Sequence, residues 1–207
     1  GKILARLRSV KSAEELVHLQ RAIDISVQGH LAMMKDVRPG IHEYETEATG
    51  EYEFHRNGAE DVGYPSICGE GNNGCTLHYI SNREQLKKGD LLLLDMGAEY
   101  KGYSADVTRT IPVSGKFSDE QRLIYQLVLD AQEAGIRMCA PGNEFKAPHQ
   151  AAVEVIKKGL TDLGIISRPE DYLRYFPHGT SHYLGLDVHD AGIREPLKAG
   201  NVITVEP

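Results

Sequence analysis

No stretch of the chain approaches the roughly 18 consecutive apolar residues that a membrane-spanning helix requires, and its opening, GKILARLRSV, lacks the apolar run of a secretory signal. A membrane-spanning helix is therefore not expected, and a cytoplasmic address is. Basic charge is scarce too: 23 lysines and arginines face 30 aspartates and glutamates, a net charge of −7. Such a surface offers little to a phosphate backbone, so nucleic acid is not an expected partner. The three cysteines, Cys68, Cys75 and Cys139, form no CxxC pair and no set of four to close a structural zinc site. They are expected to be reduced and mostly structural. The glycine-rich GEGNNGC at residues 69–75 has neither P-loop nor dinucleotide-fingerprint spacing and reads as a turn. No nucleophile elbow surrounds Ser104 or Ser181, and nothing marks Cys68 or Cys75 as an activated thiol.

What is present is one substantial domain's worth of chain: 207 residues, 41% hydrophobic and 26% charged. Ser12 and Glu15 have capping-box spacing, and Leu16, Leu19, Ile23, Val27, Leu31 and Met34 behind them predict an amphipathic helix ending before Pro39-Gly40. A second helix is expected over residues 43–56, stopped by Asn57-Gly58 and weakened at Gly50. Ser118 and Gln121 open a third, carried by Leu123, Ile124, Leu127, Val128, Ala131 and Ile136; a fourth spans about 144–163, stopped by Gly164. Between the helix pairs, the runs 91–94 and 107–113 around Tyr100-Lys101-Gly102 predict a β-hairpin. Helices then strands, twice over, indicate an α+β fold.

That order is echoed in the residues themselves. LKKGDLLLLD at 86–95 matches LKAGNVITVE at 197–206, and His78 precedes Asp95 by the same 17 positions that separate His189 from Glu206. A duplicated helix-helix-strand unit with pseudo-twofold symmetry would bring Asp95 and Glu206 to the ends of equivalent strands. A divided metal site is the expected product. Pairing Asp95 with Asp106 about a turn centred between Tyr100 and Lys101 would set two carboxylates side by side on one face, a repulsion that a divalent cation relieves. Three of the nine histidines, His178, His182 and His189, cluster in PHGTSHYLGLDVHD at 177–190. An oxygen-rich site with one histidine favours manganese, with cobalt, iron or zinc as alternatives.

The segments LHYISN, LLLLDMGAEYKGYSADVTRTIPVSGKFS, HGTSHYLGLDVHD and the closing VEP resemble aminopeptidase P, the Xaa-Pro aminopeptidase branch of the pita-bread metallopeptidases. The resemblance covers nearly the whole chain. It implies a curved antiparallel sheet with two divalent metal ions, Asp95 on one, Asp106 bridging both, and His182 and Glu206 on the second. It further implies that His78, His178 and His189 surround the substrate, and that Glu206 acts as general base while a metal-bridging hydroxide attacks the Xaa-Pro bond. The implied activity removes the N-terminal residue from peptides with proline second; a prolidase-type dipeptidase and a non-catalytic pita-bread binding module are the alternatives. Implied partners are Xaa-Pro peptides and, for the full-length protein, further copies of itself.

The family's fifth ligand, a glutamate, lies on a strand after VEP, and a further domain precedes its catalytic one. Residues 1–207 are accordingly expected to be a single catalytic domain truncated at its C-terminus and lacking that N-terminal domain. The chain alone is expected to bind metal poorly.

Overall fold

A computed structural model describes residues 1–207. In chain order the elements are α1 (Lys2–Ser9), α2 (Ala13–Asp36), α3 (Glu43–Arg56), β1 (Asp61–Val62), β2 (Ile67–Glu70), β3 (Leu91–Asp95), β4 (Ala98–Tyr100), β5 (Tyr103–Ser104), β6 (Thr108–Pro112), α4 (Asp119–Arg137) and α5 (Ala147–Asp162), with 3-10 turns at Gly71–Cys75 and Pro169–Arg174. Helices and antiparallel strands follow one another in blocks, the α+β arrangement. The chain forms two compact units.

The first unit comprises Lys11–Ser118 and Leu184–Asp190. Helix α2 starts at the expected capping box: the Ser12 hydroxyl accepts from the Glu15 amide at 3.2 Å, and the Glu15 carboxylate accepts from the Ser12 amide at 2.7 Å. Its buried face differs from the expected stripe. Leu19, Ala22, Ile25, Ser26, Gly29, His30 and Met33 point inward, while Leu16, Val27, Leu31 and Met34 are exposed. Close approach of α3 is the reason. A Cβ at Gly29 would strike the Phe54 ring and one at Gly50 would meet the Met33 sulfur, so small residues serve the contact better than leucines. Gly50 is thus the groove that admits α2 rather than a weakness, and α3 occupies residues 43–56 as expected.

Strands β2, β3 and β6 form one antiparallel sheet and β1, β4 and β5 another. The hairpin register departs from expectation by two residues. Asp95 faces Thr108, not Asp106, and Tyr100 faces Tyr103. The turn therefore centres on Lys101-Gly102, whose φ angles of 51° and 79° are those of a two-residue type I′ loop. Glycine meets that requirement at the second position; a turn centred between Tyr100 and Lys101 would have placed a tyrosine at a positive φ. Because the shift is two residues, Asp95 and Asp106 still share a face. The core beneath comprises Ile25, Met33, Phe54, Cys68, Leu92, Leu94 and Met96 among others.

The second unit comprises Gly1–Val10, Asp119–Tyr183 and Ala191–Pro207. Helices α4 and α5 pack around Ala131, Ala152, Val153, Ile156 and Leu160. As in α2, several residues expected to face the core of α4 are exposed, namely Leu123, Ile124, Val128 and Ile136. Helix α5 begins at Ala147 because Pro148, which lacks an amide proton, suits a first turn. Segments 180–183 and 203–206 then run antiparallel: Tyr183 bridges Ile203, the Thr204 amide donates to His182 at 3.0 Å and the Glu206 amide to Thr180 at 3.0 Å. Helix α1, not anticipated from the sequence, is tied in through Ser9, whose hydroxyl accepts from the Ile193 amide at 3.1 Å and whose carbonyl accepts from Asn201 at 2.6 Å.

All three cysteines are free. Only Cys68 is buried; Cys75 and Cys139 are exposed, so the expectation of mostly structural cysteines holds for one.

Candidate metal centre

In the first unit the hairpin ladder continues past β3: the Met96 amide donates to Val107 at 3.1 Å and the Ala105 amide to Ala98 at 2.9 Å. That register puts Gly97 across from Asp106, where a Cβ would collide with the Ala105 carbonyl. The two carboxylates expected to act together are brought together, by a residue not anticipated. The Tyr64 hydroxyl lies 2.5 Å from Oδ1 of Asp95 and 3.2 Å from Oδ1 of Asp106. Burial, then the charges of Asp106 and Asp95, push the phenol well above its ordinary pKa, so it remains a donor. One phenolic proton thus serves two carboxylates, leaving a concentration of negative charge that a divalent cation would match. Nothing in the local sequence GYPS signals Tyr64; only the register reveals it.

In the second unit, the antiparallel pairing of 180–183 with 203–206 faces His182 toward Glu206. The His182 Nε2 stands 3.0 Å from Oε1 of Glu206. This is an ion-pair distance outside hydrogen-bond angles, for Oε1 is buried with no hydrogen-bond partner. Burial works to raise the Glu206 carboxyl, but the side chains of His182 and Thr204 and the charges of His182 and His178 outweigh it and hold the pKa below the usual value. The His182 amide donates to the Thr204 hydroxyl at 3.0 Å, and its Nδ1 lies 3.0 Å from the Tyr183 carbonyl. With Nδ1–H donated to that carbonyl, loss of the Nε2 proton to make way for an incoming cation would leave the ring in the tautomer a metal-ligating imidazole needs. A buried carboxylate oxygen without a hydrogen-bond donor, 3.0 Å from an imidazole nitrogen, is a donor set that fits a divalent cation.

The remaining histidines separate. His78 and His189 are brought together, with ring centroids 6.5 Å apart and planes inclined by 53°. His78 holds a left-handed φ of 57°, a conformation costing a non-glycine residue about 1 kcal/mol or more. The loop around it is fixed by the fully buried Glu43 of α3, whose carboxylate collects the Tyr79 hydroxyl at 2.7 Å, Asn73 at 3.0 Å and the amides of Glu70 at 2.8 Å and Glu84 at 3.0 Å. His178 is held apart, its Nδ1 3.0 Å from the Gly179 carbonyl and its ring edge-on to Phe176 at 4.9 Å. Phe176 also packs against His149, whose Nδ1 is 2.8 Å from the Thr180 hydroxyl.

Comparison with known proteins agrees with this geometry. The chain is 42% identical to the Xaa-Pro aminopeptidase of Escherichia coli over 99% of its own length and 49% of that relative's. It superposes on the aminopeptidase PepP of Pseudomonas aeruginosa with a TM-score of 0.94 at 39% identity, and on E. coli aminopeptidase P in complex with substrate with a TM-score of 0.92 at 40% identity. These superpositions cover 99% and 98% of the chain and 49% of each neighbour, so the chain spans about half the length of the proteins it matches. They give it the expected pita-bread fold. Residues 17–207 match the family model for metallopeptidase family M24, and the chain belongs to that family.

Proposed function

We propose that this chain carries the catalytic residues of a metal-dependent Xaa-Pro aminopeptidase. The observation that carries the reading is the buried Oε1 of Glu206, which accepts no hydrogen bond although His182 stands 3.0 Å away. The convergence of Asp95 and Asp106 on Tyr64 supports it from the other unit. Asp95, Asp106, His182 and Glu206 would hold two divalent ions, manganese best matching three carboxylates and one imidazole. When bound, such ions lower the pKa of water towards neutrality and polarise a carbonyl.

The chain's own residues do the remaining work. Glu206, ionised at neutral pH because its pKa is held low, is placed to take and return a proton during hydrolysis. His78 and His189 are close enough to flank one small group, the scissile carbonyl or the proline ring, and can donate to an oxyanion from either side. His178, half-buried and anchored at Gly179, offers a further donor to the substrate. Hydrolysis before proline suits a site of this kind, because the tertiary amide has no N–H for the backbone recognition that general peptidases use.

The test is metal content and hydrolysis of Xaa-Pro-Xaa tripeptides and Xaa-Pro dipeptides, on this chain and on a version extended to the length of its relatives. Tripeptide cleavage restored by Mn²⁺ after chelation in the extended version is the expected outcome. Cleavage of dipeptides alone would replace the reading with a prolidase. Absence of both metal and cleavage would replace it with a binding module.

A further inference from the structure

Lys11 and Asp190 form an ion pair of a different kind from the rest. Their Nζ and Oδ2 atoms are 3.2 Å apart and both side chains are 1% exposed, whereas most other ion pairs have at least one partner well exposed. Both residues belong to the first unit yet are 179 positions apart in sequence. A salt bridge so deeply buried adds little net stability over well-packed apolar side chains, because removing two charges from water offsets their attraction. Its value lies in allowing one arrangement only.

Here the arrangement fixed is that of residues 184–190, the segment carrying His189. At one end the Gly185 carbonyl accepts from the Ser104 amide of β5 at 2.9 Å. At the other, Asp190 closes on Lys11, whose backbone is set by the capping box that begins at the next residue, Ser12. Gly185 makes the closure feasible, since a Cβ there would collide with the Asp190 carboxylate. The segment is thereby clamped on both sides of His189, one position from Asp190, and His189 faces His78 at 6.5 Å.

We propose that Lys11 and Asp190 are positioning residues for the hydrolytic reaction: their buried ion pair sets the 184–190 segment so that His189 is held opposite His78. The inference rests on the functional reading above, but its structural half can be tested without activity. In the manganese-loaded protein, extended to the length of its relatives, the paired apolar replacement K11M/D190L removes both charges at once, so that neither is left buried without the other. Amide hydrogen exchange in 184–190 is expected to rise tenfold or more while the rest of the first unit keeps its protection. kcat for a tripeptide substrate is expected to fall at least tenfold with KM changed less than threefold, since what is lost is alignment rather than binding. A second paired apolar variant, K11L/D190M, packs differently and is expected to give the same pattern, so that misfolding of the first double variant does not remove the test. Parent-like exchange in 184–190 overturns the proposal, as does a parent-like kcat with raised exchange. If the parent protein cleaves no peptide, the functional reading fails, and the exchange result alone decides whether the pair sets the segment.

Discussion

Tyr64 holds its hydroxyl between two carboxylates, so its removal should act on metal binding more than on folding. Tyr64→Phe is expected to keep the cooperative unfolding transition while weakening Mn²⁺ affinity about 10–100-fold, the usual effect of losing a partner that orients metal ligands. Metal titration of the two proteins checks this, and equal affinities would show that the carboxylates need no such support. At this scale the sequence revealed much. Asp95, Asp106, His182, Glu206, His78 and His189 were all legible from spacing or resemblance, and the structure brings them together pairwise as Asp95 with Asp106, His182 with Glu206, and His78 with His189. Tyr64 and the Lys11–Asp190 pair were not legible, because each acts through a partner distant in sequence and neither residue type is unusual in its local context.

Among the elements, α2 both packs the core and reaches the site, through His30. Its Nε2 lies 3.1 Å from the carbonyl of Met96, the residue after Asp95, and its Nδ1 is buried with no hydrogen-bond partner. Burial is the largest influence and lowers the pKa of this histidine, so the folded protein keeps it neutral. The unfolded chain takes up a proton below about pH 6.5, where the folded one does not. Stability from His30 is therefore complete above that pH and declines as pH falls toward the lower folded pKa, by at most about 1.4 kcal/mol per pH unit. His30→Gln keeps a donor for Met96 without the titration, and denaturant unfolding between pH 7 and 5 is expected to fall less steeply for the variant. Equal slopes would assign the pH dependence to other groups. The extent of α3 and the capping box of α2 were legible because caps, glycine stops and periodicity are local signals. The buried face of α2 was not, since glycines chosen for close helix contact carry no hydrophobic signal, while leucines that face outward do. The hairpin register was missed for a related reason: the positive φ angles of the turn, not its midpoint in the apolar pattern, fix the pairing.

For the molecule as a whole, a net charge of −7 makes divalent cations favourable partners even before any specific ligand is engaged. A cation that binds the folded chain alone should stabilise it. At a hundredfold excess over the dissociation constant the gain is about 2.7 kcal/mol, or roughly 5–10 °C in melting temperature for a protein of this size. For the version extended to the length of its relatives, thermal melts with Mn²⁺ and with a chelator are expected to differ by that amount, and superimposable melts would show that the proposed ligands hold no metal. The repeated order of helices followed by an antiparallel pair ending in a carboxylate was legible from two ten-residue stretches, because the same turn chemistry introduces both. The Lys101-Gly102 turn has a further consequence in time. Asp95 and Asp106 are joined by a hairpin whose formation takes about 1–10 μs. Translation at about 5–20 residues per second then needs on the order of 5–20 s more to reach Glu206. The carboxylate pair has time to form, and to meet cations, while the residues of the other proposed ligand pair are still being synthesised.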